Sequence, residues 1–366
     1  MKKVLLATTA LIAASAFAAP ARADLEVTVG GFTAFQAGFF DHDTATDSSR
    51  DFTSEAEIVV SADATADNGL QYGAHVQLEG STSDSTNSGE VYLYMAGSWG
   101  RVEMGDWYGA SELAVFAPTV GVGQINGSYD DFLPSTARSG LSNANYATAV
   151  NDRGDHNFTA LDSDDATKIT YYTPKFSGFQ AGVSYAPEQD DSGETVSLTE
   201  GDLKNMFEIG LKYEGEFQGV GVTVGGLYNF ADASDLATTE DLSAWSLGAQ
   251  LSYNGFTFGG GYTDNGDSLQ AEAQTSDDIT SWNVGLTYEN GPWGVGVSYL
   301  DEDYETNGDT AGTDGGDYSA LAFGGTYKVA PGLTTGLDMA FYDRDRAGSV
   351  NDEDGWVAVV DVTAAF

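Results

Sequence analysis

The chain has 366 residues, a formal charge of −42 at pH 7 and no cysteine. That charge excludes a protein that grips nucleic acid through its phosphates, and the missing thiols exclude a disulfide framework and thiol chemistry. Aromatic residues make up 12% of the chain, which excludes an acidic disordered polymer, because such chains lack aromatics.

The first element is a leader. Lys2 and Lys3 precede an apolar run from Val4 to Ala19, and Ala21-Arg22-Ala23 closes it with small residues at −3 and −1. This is the pattern of a secretory signal peptide over residues 1–23, cut between Ala23 and Asp24. The run is shorter than a membrane anchor needs and is interrupted by Thr8, Thr9 and Ser15. Removing it makes the chain still more acidic, a field that favours cations.

From Asp24 onward the side chains alternate with period two, the signature of strands with two different faces. Val27, Val29, Phe35 and Phe39 alternate with Glu26, Thr28, Gln36 and Gly38. Ala56, Ile58, Val60 and Ala62 alternate with Glu55, Glu57, Ser61 and Asp63. Further apolar rows are Tyr72/Ala74/Val76/Leu78, Val91/Leu93/Met95, Phe179/Ala181/Val183/Tyr185, Phe207/Ile209/Leu211/Tyr213 and Val220/Val222/Val224. After these come Trp245/Leu247/Ala249/Leu251, Phe256/Phe258/Tyr262, Trp282/Val284/Leu286/Tyr288 and Trp293/Val295/Val297/Tyr299. The series ends with Leu321/Phe323/Tyr327, Leu333/Leu337/Met339/Phe341 and Trp356/Ala358/Val360/Val362/Ala364/Phe366.

About sixteen strands result. Their connections alternate between long (41–50, 80–89, 107–166, 187–203, 231–241, 264–278, 302–317, 344–354) and short (near 66, 98, 176, 216, 254, 290 and 331). Aromatic residues mark both strand ends on the apolar parity: Tyr213, Tyr253, Phe256, Tyr288 and Trp293 by short turns, Trp245, Tyr262, Trp282, Tyr299 and Trp356 by long loops. The expected fold is all-β, a transmembrane antiparallel up-and-down β-barrel over residues 24–366, with an aromatic belt at each lipid interface. Only closure gives a sheet in hydrocarbon no unpaired edge. The polar parity then faces a water-filled interior too wide for side chains to fill. Glycines within the strands, such as Gly225-Gly226 and Gly259-Gly260-Gly261, are read as points of curvature and twist.

Residues 107–166 break the alternation. A long insert of this kind is commonly functional, and it is read as a third loop folded into the barrel to constrict the channel.

Several segments make a family visible. Trp99-Gly100-Arg101-Val102-Glu103-Met104-Gly105 before the long loop resembles the turn and strand of general bacterial porins. Tyr171-Tyr172-Thr173-Pro174-Lys175-Phe176-Ser177-Gly178-Phe179 is similar to their motif after that loop, and Asp67-Asn68-Gly69-Leu70 to their second hairpin. Phe366 matches the aromatic ending such barrels present to their assembly machinery. The acidic porins of alphaproteobacteria are the nearest in character. The resemblance implies a homotrimeric, sixteen-stranded outer-membrane pore for passive diffusion of small hydrophilic solutes, reached by export through the periplasm. Where members of this family often carry a basic residue after the glycine opening the third loop, this chain has Asp106.

The resemblance places loop acids opposite a basic wall at the constriction. The acid candidates are Glu112, Asp130, Asp131, Asp152 and Asp155, with Tyr129 and Phe132 as residues that would pin the loop. Asp162 to Asp165 are read as solvated rim. The basic candidates on the inward parity are Arg101, Lys168, Lys212, Lys328 and Arg344, with Arg50 entering at a loop end; Arg101 with Glu103, and Lys212 with Glu208 or Glu214, can also be read as local charge balance. The acid excess predicts weak cation preference. No cofactor is expected; the runs Glu188-Gln189-Asp190-Asp191 and Asp314-Gly315-Gly316-Asp317 lack EF-hand spacing and are read as solvated loops, where calcium would bridge to lipopolysaccharide phosphates.

Two other functions compete. A substrate-specific channel would line its path with a ladder of aromatics, for which inward Tyr172 and Tyr342 are too few. A barrel-embedded hydrolase would need a base, and His42, His75 and His156 lie in loops or on the inward parity, with no serine marked as nucleophile.

Overall fold

The computed structural model describes residues 25–42, 48–81, 87–119, 132, 162–163, 166–188, 203–233, 240–268, 279–303, 316–346 and 353–366. Among them are sixteen strands: β1 (Glu26–His42), β2 (Arg50–Thr65), β3 (Gln71–Ser81), β4 (Asn87–Gly97), β5 (Gly100–Asp106), β6 (Thr167–Tyr172), β7 (Phe179–Glu188), β8 (Leu203–Phe217), β9 (Val220–Ala233), β10 (Leu242–Tyr253), β11 (Phe256–Gly266), β12 (Ile279–Asn290), β13 (Trp293–Asp303), β14 (Gly316–Ala330), β15 (Leu333–Arg346) and β16 (Glu353–Ala365). Each strand pairs antiparallel with its neighbours in sequence, and β1 pairs with β16 to close the barrel. The closing seam runs from Phe32 opposite Ala365 to His42 opposite Gly355, and Gly31 and Phe366 exchange backbone hydrogen bonds of 3.2 and 3.0 Å at its end.

The outward row is apolar and exposed: Val29, Phe35, Ile58, Leu93, Ile209, Leu247, Phe258, Leu286, Val295 and Leu337 all belong to it. An exposed belt of this kind is stable in hydrocarbon, not in water. Rings on neighbouring strands meet at both of its margins. Near the short turns Phe179 meets Tyr213 at 4.8 Å, Phe256 meets Tyr288 at 4.4 Å and Trp293 meets Tyr327 at 4.4 Å between centroids. Near the long loops Tyr185 meets Phe207 at 4.8 Å, Trp245 meets Tyr262 at 5.4 Å and Trp282 meets Tyr299 at 5.3 Å. Six residues separate Trp282 from Tyr288, about 20 Å of strand, which suits the apolar band of an outer-membrane barrel.

The inward row is not uniformly polar, contrary to the sequence expectation. On β14, β15 and β16 it carries Ala320, Ala322, Ala340, Val357 and Val359, all of them buried. They belong to an apolar cluster that also holds Phe40 of β1 and Phe132 of the long insert. Apolar side chains tolerate the inside of a hydrated barrel here because other protein covers them.

Candidate functional site

The described parts of the long insert lie against inward-facing residues of the wall. Trp107 packs on His75 and Tyr92, with ring centroids 5.5 and 4.7 Å away. Tyr172 donates its hydroxyl to the Gly109 carbonyl at 2.6 Å, and Ser184 Oγ accepts from the Ala110 amide at 2.6 Å. A 3-10 turn over Ala110–Leu113 follows. Beyond it, Phe116 accepts a 2.8 Å bond from Gln250, and the Ala117 amide donates to Asn283 Oδ1 at 2.7 Å. The segment therefore crosses from β6 to β12. Phe132 meets Phe40 with centroids 6.4 Å apart, and residues 162–163 return to β8.

Glycine makes this path possible. A Cβ at Gly210 would stand 2.5 Å from the Ala110 carbonyl oxygen, and one at Gly225 2.5 Å from that of Leu113. At Gly248 it would run into the Val115 carbonyl, and at Gly285 it would sit 2.7 Å from that of Pro118. These strand glycines make room for the insert, a role that the reading of Gly225 and Gly261 as curvature points misses. The sequence signal was present: glycines recur on the inward parity of consecutive strands, and Gly225, Gly248 and Gly261 stand in register.

The predicted charges separate into distinct roles. Glu112, on the 3-10 turn, is exposed in the lumen. The surrounding wall desolvates its carboxyl and raises its pKa above the ordinary carboxylate value, while Lys212 on β8 pulls it down. This is the loop acid and wall base that the structure brings into electrostatic contact. Lys212 also lies 3.9 Å from Glu214 Oε1. Arg101 points inward as expected, but its Nε is 2.5 Å from Glu103 Oε1 and its guanidinium lies 3.8 Å from the Tyr94 ring centroid.

Lys168 has the expected parity and a different task. It is only 3% exposed and donates its ammonium to the Trp107 carbonyl, so it anchors the start of the loop where a free wall charge was expected. Arg50 is a correction: it opposes Phe39 in the β1–β2 register, on the outward face shared with Phe52 at the long-loop rim. The even parity of Ala56, Ile58 and Val60 already carried that information. Lys328 opposes Thr334 beside a short turn, away from the insert's contacts, and Arg344 opposes Tyr318 near the long-loop end. Asp106 accepts a hydrogen bond from Thr167 across the base of the insert.

Of the acids read as solvated rim, Asp162 is half-buried, and Ser163 beside it is buried against Glu208. Asp130, Asp131, Asp152, Asp155, Asp164 and Asp165 lie outside the described residues, as do Ala23, Asp24, residues 189–191 of the first acidic run and residues 314–315 of the second. The described residues contain no metal-ligand cluster.

Sequence reasoning missed an aromatic group on the inward faces of β3 and β4. His75 stacks on Tyr92 at 5.0 Å, and Tyr94 donates its hydroxyl to Asp63 at 2.6 Å. Their parity was legible; their association with Trp107 was not.

A closed sixteen-stranded barrel with a lipid-facing apolar girdle and a loop segment packed on its inner wall is an outer-membrane channel. The sequence profile of the Gram-negative porin family matches residues 7–347, and the chain belongs to that family. An uncharacterized protein of Rickettsia conorii is 25% identical, the alignment covering 93% of each chain. A porin of Rhodobacter capsulatus is 27% identical over 198 residues, 54% of this chain and 56% of that one. Among solved structures, an anion-selective porin from Comamonas acidovorans superposes with a TM-score of 0.64 at 18% identity, covering 94% of this chain and 100% of that one. OmpT of Vibrio cholerae, in trimer form, gives 0.64 at 14% identity with 93% and 99% coverage. At these identities the structural likeness speaks for the fold, and family and fold together describe a channel without enzymatic chemistry.

Proposed function

We propose that this porin is a general diffusion pore for small hydrophilic solutes and ions, with a weak preference for cations. The supporting observation is the balance of charge on the lumen side. Glu57, Asp63 and Glu79 occupy the inward rows of β2 and β3, Glu112 projects from the insert, and Arg101 is already neutralised by Glu103. Charges across a confined, low-dielectric-walled gap act strongly on passing ions. The fold does not choose the sign, since a structure of the same architecture is described as anion-selective; the side chains do. A reversal potential in a planar bilayer under a salt gradient is expected to carry the sign of cation preference, and the anion sign would overturn the reading. Liposome swelling rates should fall smoothly with solute size; one solute entering far faster than its size predicts would favour a substrate-specific channel, the reading that the inward aromatics His75, Tyr92 and Trp107 favour.

The insert at 107–166 narrows the channel in this proposal, and residues 1–23 are removed on export, giving a mature N-terminus at Asp24. The working unit is a homotrimer, as in the OmpT structure, so single-channel records should close in three equal steps. Phe366, bonded at the seam, is the end offered to the barrel-assembly machinery. Divalent cations bridge the acidic outer loops to lipopolysaccharide phosphates, so chelation should lower thermal stability in outer-membrane lipid.

A further inference from the structure

We infer that Glu208 is a positioning residue that latches the two ends of the long insert to one point on the barrel wall. Glu208 projects inward from β8, between Ser184 on β7 and Asn229 on β9, and is only 1% exposed. A carboxylate at such a place in an aqueous channel owes its burial to what sits on it. Oε1 accepts from the Ser163 amide at 2.6 Å and from Ser163 Oγ at 2.5 Å. Oε2 accepts from the Ser111 amide at 3.4 Å and lies so close to Gly109 that a Cβ there would collide with it. Ser111 belongs to the outgoing arm and Ser163 to the returning arm, so one side chain is bonded to both.

The outgoing arm has further anchors. Lys168, Tyr172 and Ser184 hold the backbone of Trp107, Gly109 and Ala110. Ser163 meets the wall through Glu208, by both its amide and its hydroxyl. The field of Lys168 favours the charge on the carboxylate, while those of Asp162 and Glu112 oppose it. A carboxylate suits this post because the donors bonded to it, the Ser111 amide and the Ser163 amide and hydroxyl, are neutral, and charge-assisted bonds to such donors are the stronger kind. The arrangement fixes the spacing of the arms, and with it the base from which the insert spans the lumen. The effect of the latch on conductance rests on the proposal that the insert narrows the channel; the latch itself does not.

The chain has no cysteine, so a single Thr119→Cys change on the exposed end of the outgoing arm carries one nitroxide label in the otherwise intact protein. Label mobility and single-channel current are compared in the parent, Glu208→Leu, Glu208→Gln and Ser163→Ala, each checked for the β-barrel circular dichroism signature. Glu208→Leu should free the label most and give the noisiest open-channel current. Glu208→Gln should be intermediate: its amide oxygen still accepts from Ser163, while its NH2 group cannot accept from Ser111. Ser163→Ala, which keeps the amide bond, should be mildest. Should Glu208→Leu fail to fold, the order of the other two decides. A label equally immobile in every folded variant overturns the latch. A label freed without any change in current supports the latch and removes the insert from the aperture, so the two proposals fail separately.

Discussion

Glu112 and Lys212 show how single residues tune an aqueous gap. The pKa of Glu112 is raised because the wall takes water from its carboxyl, and Lys212 partly offsets that shift. A raised pKa means the carboxylate persists above that value and is lost as pH falls through it, earlier than an ordinary carboxylate would be. Cation preference should therefore decline on acidification beginning above the usual carboxylate range, and Glu112→Gln should flatten that part of the reversal-potential titration. Lys212→Met should move it to still higher pH, because the lowering influence is gone, and should raise cation preference at neutral pH. A titration unchanged by Glu112→Gln would assign the charge elsewhere. Glu112 was legible in the sequence as an acid early in the insert. Lys168 was legible only as an inward base, because its burial depends on Trp107, whose carbonyl it reaches from the far end of a long loop.

At the scale of elements, a loop and a wall are matched by the absence of side chains. The insert's carbonyls approach the sheet where Gly210, Gly225 and Gly248 stand. Gly248→Leu should lift the insert from β10, changing conductance and costing about 1–3 kcal/mol of stability, as overpacking does. Gly226→Ala is the control: it faces outward, and its Cβ would meet the movable end of the Leu247 side chain at 2.8 Å. Equal effects from the two would show that the inward glycines serve the sheet and not the loop. Strand existence and parity could be read locally, because alternation needs only neighbours along the chain. The purpose of Gly248 could not, since the residue that occupies its missing side chain is Val115, separated from it along the chain by four strands.

For the whole molecule, lipid outside and water within set the energetics. Leu247 is exposed near the middle of β10, where Leu247→Lys should cost about 2–4 kcal/mol in a bilayer. Thr257→Lys, on the inward row, should cost much less, because its ammonium stays hydrated. Equilibrium unfolding in lipid vesicles checks both, and similar costs would contradict the assignment of faces. Closure has the same origin: β1 and β16 lie at opposite ends of the chain, yet an open edge in hydrocarbon leaves their backbone groups unpaired.

The sequence by itself determined the number of strands, their parity, the alternation of long loops with short turns and the chemistry of the outer surface. Each of these follows from period-two patterning and turn residues acting over a few positions, under the demand that lipid-facing side chains be apolar. The tertiary structure alone decided which inward residues meet the insert. It put Lys168 beneath the loop, joined Ser111 and Ser163 at Glu208, and covered Val357 and Val359 with protein instead of water. Those outcomes depend on contacts between distant segments, and a periodic pattern holds no record of what folds back against it.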